Sequence, residues 1–277
     1  MTAKIGGILG IREGTEALVK MASKFHFECL DLFLPVWQDV LSENNIRVIR
    51  EMTGIPMTFH YKTSTILASP KTYDLIRNQL VYYIDVARSL RVSVITIHPP
   101  STRRIREKEK KSFEDERWYH VALDNHVTED FEESIAYLSR LICDLRPLLE
   151  SSGVRIAIEN TDKNTRDFGT RIETLKDIQM ITSRSQSIFV GMCFDVYKAY
   201  TTEEHLDFEK YSDKIFHVQL SDYSESDQKG HIAIGRGNIP ISEIIKQCQR
   251  LNYIGHYTIE VPEIVMRESV DFVKKLL

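Results

Sequence analysis

Short apolar, β-branched runs alternate along the chain with longer segments of helical period, and the alternation repeats throughout. Such a pattern predicts βα units around a parallel sheet. Eight runs read as strands: KIGGILG from Lys4, HFECLDLFL from His26, PMTFHY from Pro56, VSVITIH from Val92, VRIAIEN from Val154, IFVGMCFD from Ile188, KIFHVQLSD from Lys214 and GHYTIEV from Gly255. Helical periodicity marks 13–25, 36–52, 72–90, 131–150, 172–182 and 241–251. No Pro-, Gly- or Ser-rich linker divides the series. The expected fold is therefore α/β, a single (β/α)8 TIM barrel formed by 1–277 as one domain.

Within five of the strands, alternate residues separate into two classes. One phase holds His98, Thr96 and Val94; Glu159, Ala157 and Arg155; Asp195, Cys193 and Gly191; Gln219 and His217; and Glu260, Thr258 and His256. The other phase holds Ile97, Ile158, Phe194, Leu220, Ile259 and their like, all bulky and apolar. A barrel strand turns its greasy face to the surrounding helices, so the small and polar series belongs inside. The last member of each series then sits at the strand's C-terminal end, where barrel active sites are built. His60, closing PMTFH, joins them by the same rule.

Composition narrows the classes of function. A chain of 277 residues with 42% hydrophobic content can fill a large core, and a net charge of −4 offers no global attraction to nucleic acid or anionic membrane. No apolar window is long enough to span a bilayer. Cys29, Cys143, Cys193 and Cys248 are scattered without a C-x-x-C pair, which suits reduced thiols and a cytoplasmic location. The charged stretch 101–117 carries seven basic and five acidic residues, compatible with a solvated helix or with a lid over the barrel mouth.

The rim thus gathers His60, His98, Glu159, Asp195, Gln219 and Glu260. Three carboxylates within a few ångströms repel one another and raise each other's pKa unless a cation lies between them. One divalent metal ion is therefore expected. Carboxylate oxygens with an amide or imidazole favour Mn²⁺ or Mg²⁺, with Co²⁺ or Zn²⁺ as alternatives.

The motifs IHPP at His98, IENT at Glu159, CFDVYKAY at Asp195, HVQLSD at Gln219, GHIAIGRGNIP at His231 and YTIEV at Glu260 resemble, in order and placement, those of the xylose isomerase-like barrels. That family includes sugar and sugar-phosphate isomerases and epimerases, keto-polyol dehydratases of the inosose and dehydroshikimate type, and apurinic endonucleases. The resemblance implies a metal held by Glu159, Asp195, Gln219 and Glu260, with Glu159 and Glu260 also moving a proton next to a sugar carbonyl through a metal-stabilised enediolate. It assigns His60 and His98 to substrate contact and puts His217 one layer deeper, as a supporting residue of the substrate pocket. Lys198 stands where family members often carry histidine; contact with a substrate oxygen and an exposed rim position are both open for it.

His231 and Arg236, beside the Gly235/Gly237 turn, are candidate ligands for an anionic group, because barrels commonly bind phosphate after the seventh strand. Asp222 is expected to cap the following loop. The resulting expectation is a metal-dependent sugar or sugar-phosphate isomerase or epimerase, with a dehydratase as the near alternative. A phosphodiesterase of the endonuclease type is disfavoured by Lys198, by Gln219 and by Lys229 in place of an aspartate, and a non-catalytic sugar-binding barrel is the remaining reading. The expected partner is a small-molecule sugar, with no nucleic acid or membrane; a homo-oligomer is left open.

Overall fold

A computed structural model describes residues 3–10, 14–34, 43–61, 70–99, 131–161 and 172–277. Eight parallel strands close into a barrel: β1 (Lys4–Gly10), β2 (Cys29–Leu34), β3 (Met57–Tyr61), β4 (Val94–Ile97), β5 (Arg155–Glu159), β6 (Val190–Asp195), β7 (Ile215–Leu220) and a last strand, β10 (His256–Ile259), which pairs with both β7 and β1. All eight lie within the runs expected from the sequence. Two short strands, β8 (Asp222–Ser224) and β9 (Lys229–Ile232), form an antiparallel hairpin between β7 and β10, outside the barrel.

Helices cover the outside because their apolar positions recur at helical spacing. In α4 (Phe131–Ser152) the buried series is Ile135, Leu138, Ile142, Leu145 and Leu149. The other helices are α1 (Thr15–Phe25), α2 (Glu43–Thr53), α3 (Pro70–Ser89), α5 (Leu175–Ser185), the short α6 (Val196–Thr201) and α7 (Phe208–Tyr211), α8 (Ile241–Arg250) and α9 (Glu263–Lys274). Helix α5 starts later than its periodicity suggests. Thr174 caps it, its hydroxyl accepting from Asp177 N while the Asp177 carboxylate accepts from Thr174 N, and that reciprocal pair sets the first turn. The charged stretch 101–117 lies outside the described residues, as does the first part of the expected helix 36–52.

Inside the barrel the polar phase holds. His217 is fully buried, with Nδ1 2.8 Å from the Thr96 hydroxyl and Nε2 2.8 Å from the Thr258 hydroxyl, so one imidazole ties β4, β7 and β10 together across the interior. One departure from strict alternation occurs in β7. Met192 pairs with Ile215 but Cys193 pairs with His217, so the register slips by one residue at Phe216. Its ring consequently joins the inward group Val94, Ala157 and Cys193, with the Arg155 guanidinium 4.7 Å from its centre.

The loop after β9 is organised by Asp222, which is completely buried. Its carboxylate accepts from the backbone N–H groups of Tyr223 (2.8 Å), Gly235 (2.9 Å), Gly237 (2.9 Å) and Ile239 (3.1 Å). Position 237 must be glycine for this wrap, since a Cβ there would run into the Asp222 carboxylate and the Tyr223 carbonyl. Asp222→Ala strands several buried N–H groups at once and is expected to lower the unfolding free energy by about 3 kcal/mol or more, read from urea denaturation.

Candidate active site

The C-terminal ends of β3, β4, β5, β6, β7 and β10 deliver His60, His98, Glu159, Asp195, Gln219 and Glu260 to one end of the barrel. Glu159 is the hub and is fully buried. Its Oε2 lies 3.2 Å from His60 Nε2 and 3.1 Å from His98 Nε2, and its Oε1 forms a very close ion pair with the Lys198 ammonium. The two histidines approach each other at 2.7 Å between their Nε2 atoms.

Lys198 is not an exposed rim residue. Asp195 caps α6, its Oδ1 accepting from Lys198 N at 3.0 Å. Side chains in a first helical turn lean back toward the helix N-terminus, here toward the barrel mouth. The ammonium accordingly reaches Glu159 and also stands 3.0 Å from Asp195 Oδ2, with its side chain only 9% exposed. Asn160 locks Asp195 from the other side, donating to its carbonyl (3.0 Å) and accepting from its N–H (2.8 Å).

A further buried carboxylate, Asp31 in β2, was not singled out from the sequence. Its oxygens accept from the Thr58 hydroxyl (2.7 Å) and pair with His60 Nδ1 (3.2 Å), and Gln219 Nε2 donates to it at 3.4 Å. The signal was present: Cys29, Asp31 and Phe33 form the inward phase of β2, and a lone aspartate between leucines follows the rule applied to the other strands.

Electrostatics divide the groups. Burial works against a charged His60, yet Asp31 and Glu159 on its two sides outweigh it and raise the ring to about 10. Burial pushes His98 down to about 4, so it is neutral and its Nε2 can accept from His60. Burial would raise Glu159 too, but the Lys198 and His60 cations beside it, with the His98 ring in contact, hold it well below the ordinary carboxylate range. Asp195 rises to about 6 through burial and the nearby Glu260 and Glu159 charges, which together overcome Lys198. Two organic cations, His60 and Lys198, thus offset the buried carboxylates.

Among the described residues two groups of three are close enough to share a metal ion: His60, His98 and Glu159, and Glu159, Asp195 and Glu260. In the first, the ligand atoms form a triangle with edges of 2.7, 3.2 and 3.1 Å. Adjacent ligands about 2.0–2.2 Å from one ion stand about 3.0–3.4 Å apart, so the two edges to Glu159 match, whereas the 2.7 Å edge is a hydrogen bond between the imidazoles that must open for an ion to enter. Glu159 Oε2, buried and without a properly directed hydrogen bond, agrees with that use. The second group has the Lys198 ammonium among its oxygens and does not fit an added ion in this arrangement. Gln219, expected to complete it, turns its amide nitrogen toward Asp31 and His60 and leaves its amide oxygen buried without a hydrogen-bond partner.

Three expected substrate contacts stand differently. Both ring nitrogens of His217 are engaged with threonines and the residue is sealed from solvent, so it ties the barrel interior together. The Arg236 side chain is 69% exposed and pairs with Glu268 at 2.5 Å. The N–H groups of Gly235 and Gly237 that would greet a phosphate already serve Asp222, an anion supplied by the chain itself. His231, by contrast, sits at the rim beside Glu260, its Nδ1 donating to the Glu260 carbonyl at 3.1 Å.

A profile of the family described as "Xylose isomerase-like TIM barrel" matches residues 37–276. The chain belongs to the xylose isomerase-like TIM barrel family. An uncharacterized protein of Methanocaldococcus jannaschii is 28% identical over 141 residues, 49% of this chain; the match spans less than half, 45%, of that protein. Solved structures of the same barrel include 3-keto-D-glucoside 4-epimerase from E. coli (TM-score 0.73, 14% identity, 99% of each chain). D-allulose 3-epimerase from Methylomonas sp. superposes with TM-score 0.71 at 13% identity over 100% of this chain and 98% of that one. Within this xylose isomerase-like chain, as elsewhere among its described residues, no helix is long and apolar enough to cross a membrane.

The raised His60 has a measurable consequence. A histidine with a raised folded-state pKa stabilises the fold at pH below its ordinary 6.5 and loses that contribution as pH climbs through about 10. In chelator-treated protein, Tm is expected to fall as pH is raised across that window, and His60→Gln should flatten the fall.

Proposed function

We propose that the protein is a sugar isomerase or epimerase that moves a proton at the carbon beside a carbonyl. One observation carries this reading: Glu159, Asp195 and Glu260 bring ligand oxygens within 4.8 Å of one another at the barrel mouth, and Glu260 alone is partly open, its side chain 26% exposed. Glu260 Oε2 has no hydrogen-bond partner among the described residues. An acceptor without a partner, beside an ammonium, suits abstraction of a carbon-bound proton. The 4-epimerase and 3-epimerase names of the solved structures above support the same class of reaction here.

Glu260 Oε2 takes the proton, and Lys198 Nζ, already among the carboxylates, donates to the oxygen on which negative charge develops. Glu159 holds that ammonium and the two imidazoles in place, and with Asp195 close to neutral pH in its titration it provides the return path for a proton. His231, at the rim beside Glu260, and His98, against Glu159, are positioned to orient hydroxyls. His60, His98 and Glu159 would hold a divalent ion, which when bound would supply Lewis-acid polarisation of a substrate oxygen. Two imidazoles with one carboxylate suit Zn²⁺ or Co²⁺ better than the Mn²⁺ or Mg²⁺ expected from the carboxylates alone. The Asp222-filled turn favours a substrate without phosphate. Three buried cysteines without disulfides are consistent with a cytoplasmic enzyme of carbohydrate metabolism.

Incubation with a panel of unphosphorylated ketoses in D₂O, followed by NMR, tests the proposal. The expected result is deuterium uptake at a carbon next to the carbonyl together with a new epimer or isomer. Glu260→Gln should lower kcat by about 100-fold or more, while Arg236→Ala leaves KM unchanged. Loss of water from a keto-polyol without epimeric product would assign the site to a dehydratase instead, and absence of exchange with every sugar would remove the reading.

A further inference from the structure

Lys198 bears on how the carboxylate cluster obtains its positive charge. Its backbone is fixed: Lys198 N donates to Asp195 Oδ1, and its carbonyl accepts from Thr202 N and from the hydroxyls of Thr201 and Thr202. The residues on either side, Tyr197 and Ala199, are buried, and Tyr197 packs against Tyr223 and His231. From this anchored position the side chain enters a space bounded by Glu159 and Asp195, with Glu260 near enough to act on both. Taking an ammonium out of water costs several kcal/mol unless opposite charges surround it. Here the surrounding charges are the same oxygens a divalent ion would need.

Two cations cannot share those oxygens cheaply. Like charges a few ångströms apart in a water-poor site repel strongly, and the repulsion between an ammonium and a divalent ion is twice that between two unit charges. We propose that Lys198 is the resident cation of the Glu159, Asp195 and Glu260 cluster and keeps a divalent ion out of it, so that the group facing a substrate oxygen there is an ammonium. The statement about substrate rests on the sugar-enzyme reading, whereas the exclusion of the ion does not and is tested without any sugar.

The experiment is Mn²⁺ binding to the chelator-treated, full-length protein, followed by calorimetry and by metal analysis after dialysis, on the wild type and on Asp195→Asn, Glu260→Gln, Lys198→Met and Lys198→Met with Glu260→Gln. Folding is checked by circular dichroism. The expected pattern is Mn²⁺ binding in the wild type that neither Asp195→Asn nor Glu260→Gln changes, and one additional ion per chain in Lys198→Met that disappears in the double variant. Two results would overturn the proposal: a loss of wild-type Mn²⁺ affinity of about tenfold or more on Glu260→Gln or Asp195→Asn, or a folded Lys198→Met that gains no ion dependent on Glu260. If Lys198→Met does not fold, the two carboxylate variants decide alone, unchanged binding supporting the proposal and a tenfold loss rejecting it. A protein inactive on every ketose but showing the expected ion counts would fail as a sugar enzyme and retain Lys198 as the resident cation.

Discussion

Buried negative charge is the constraint on which the barrel interior depends. Asp31, Glu159 and Asp195 are all withdrawn from water. Isolated carboxylates in such surroundings would protonate or unfold the site. The chain meets the constraint with its own cations, His60 between Asp31 and Glu159, and Lys198 between Glu159 and Asp195. Much else follows from holding those cations in place. Thr58 shares Asp31 with His60, Asn160 fixes the backbone of Asp195, and the cap of α6 by Asp195 aims Lys198 at its partners.

The same constraint shows that three clustered carboxylates do not by themselves specify a metal. Repulsion among Glu159, Asp195 and Glu260 demands positive charge but does not say which kind. An ammonium on a buried four-carbon stem satisfies it as a metal ion would. A second cluster, with two imidazoles and one carboxylate oxygen, brings ligand atoms together away from that ammonium, and an ion there would replace the His60 proton and the His60–His98 hydrogen bond. The two clusters share Glu159, so any ion held by the histidines would be felt by Lys198 through a single side chain.

Legibility from the sequence followed the distance over which physics acts. Strand phase is local, and the polar series it sorted inward lies inward in the barrel, down to His217 between Thr96 and Thr258. Asp31 was equally legible by that rule, since its neighbours Leu30 and Leu32 face the helices. Phe216 was not, because a one-residue slip in register is decided by the pairing of β6 with β7 rather than by either strand alone. Lys198 was not either. Its direction depends on where a short helix starts, and its charge state on carboxylates from β5 and β6 that meet only in the closed barrel.

The turn after β9 shows the same limit in another form. Glycines spaced as in Gly235 and Gly237, beside Arg236, read as a cradle for phosphate, and the backbone does form one. Asp222 fills it from within, taking four N–H groups with one carboxylate. An anion-binding turn and a turn folded around the chain's own aspartate use the same donors and need the same missing Cβ, so glycine spacing cannot separate them. What separates them is the position of the aspartate: two residues past the end of β7, it points back into the loop, is completely buried, and takes the backbone donors of the turn. On the mouth side, by contrast, Glu260 and His231 remain partly open.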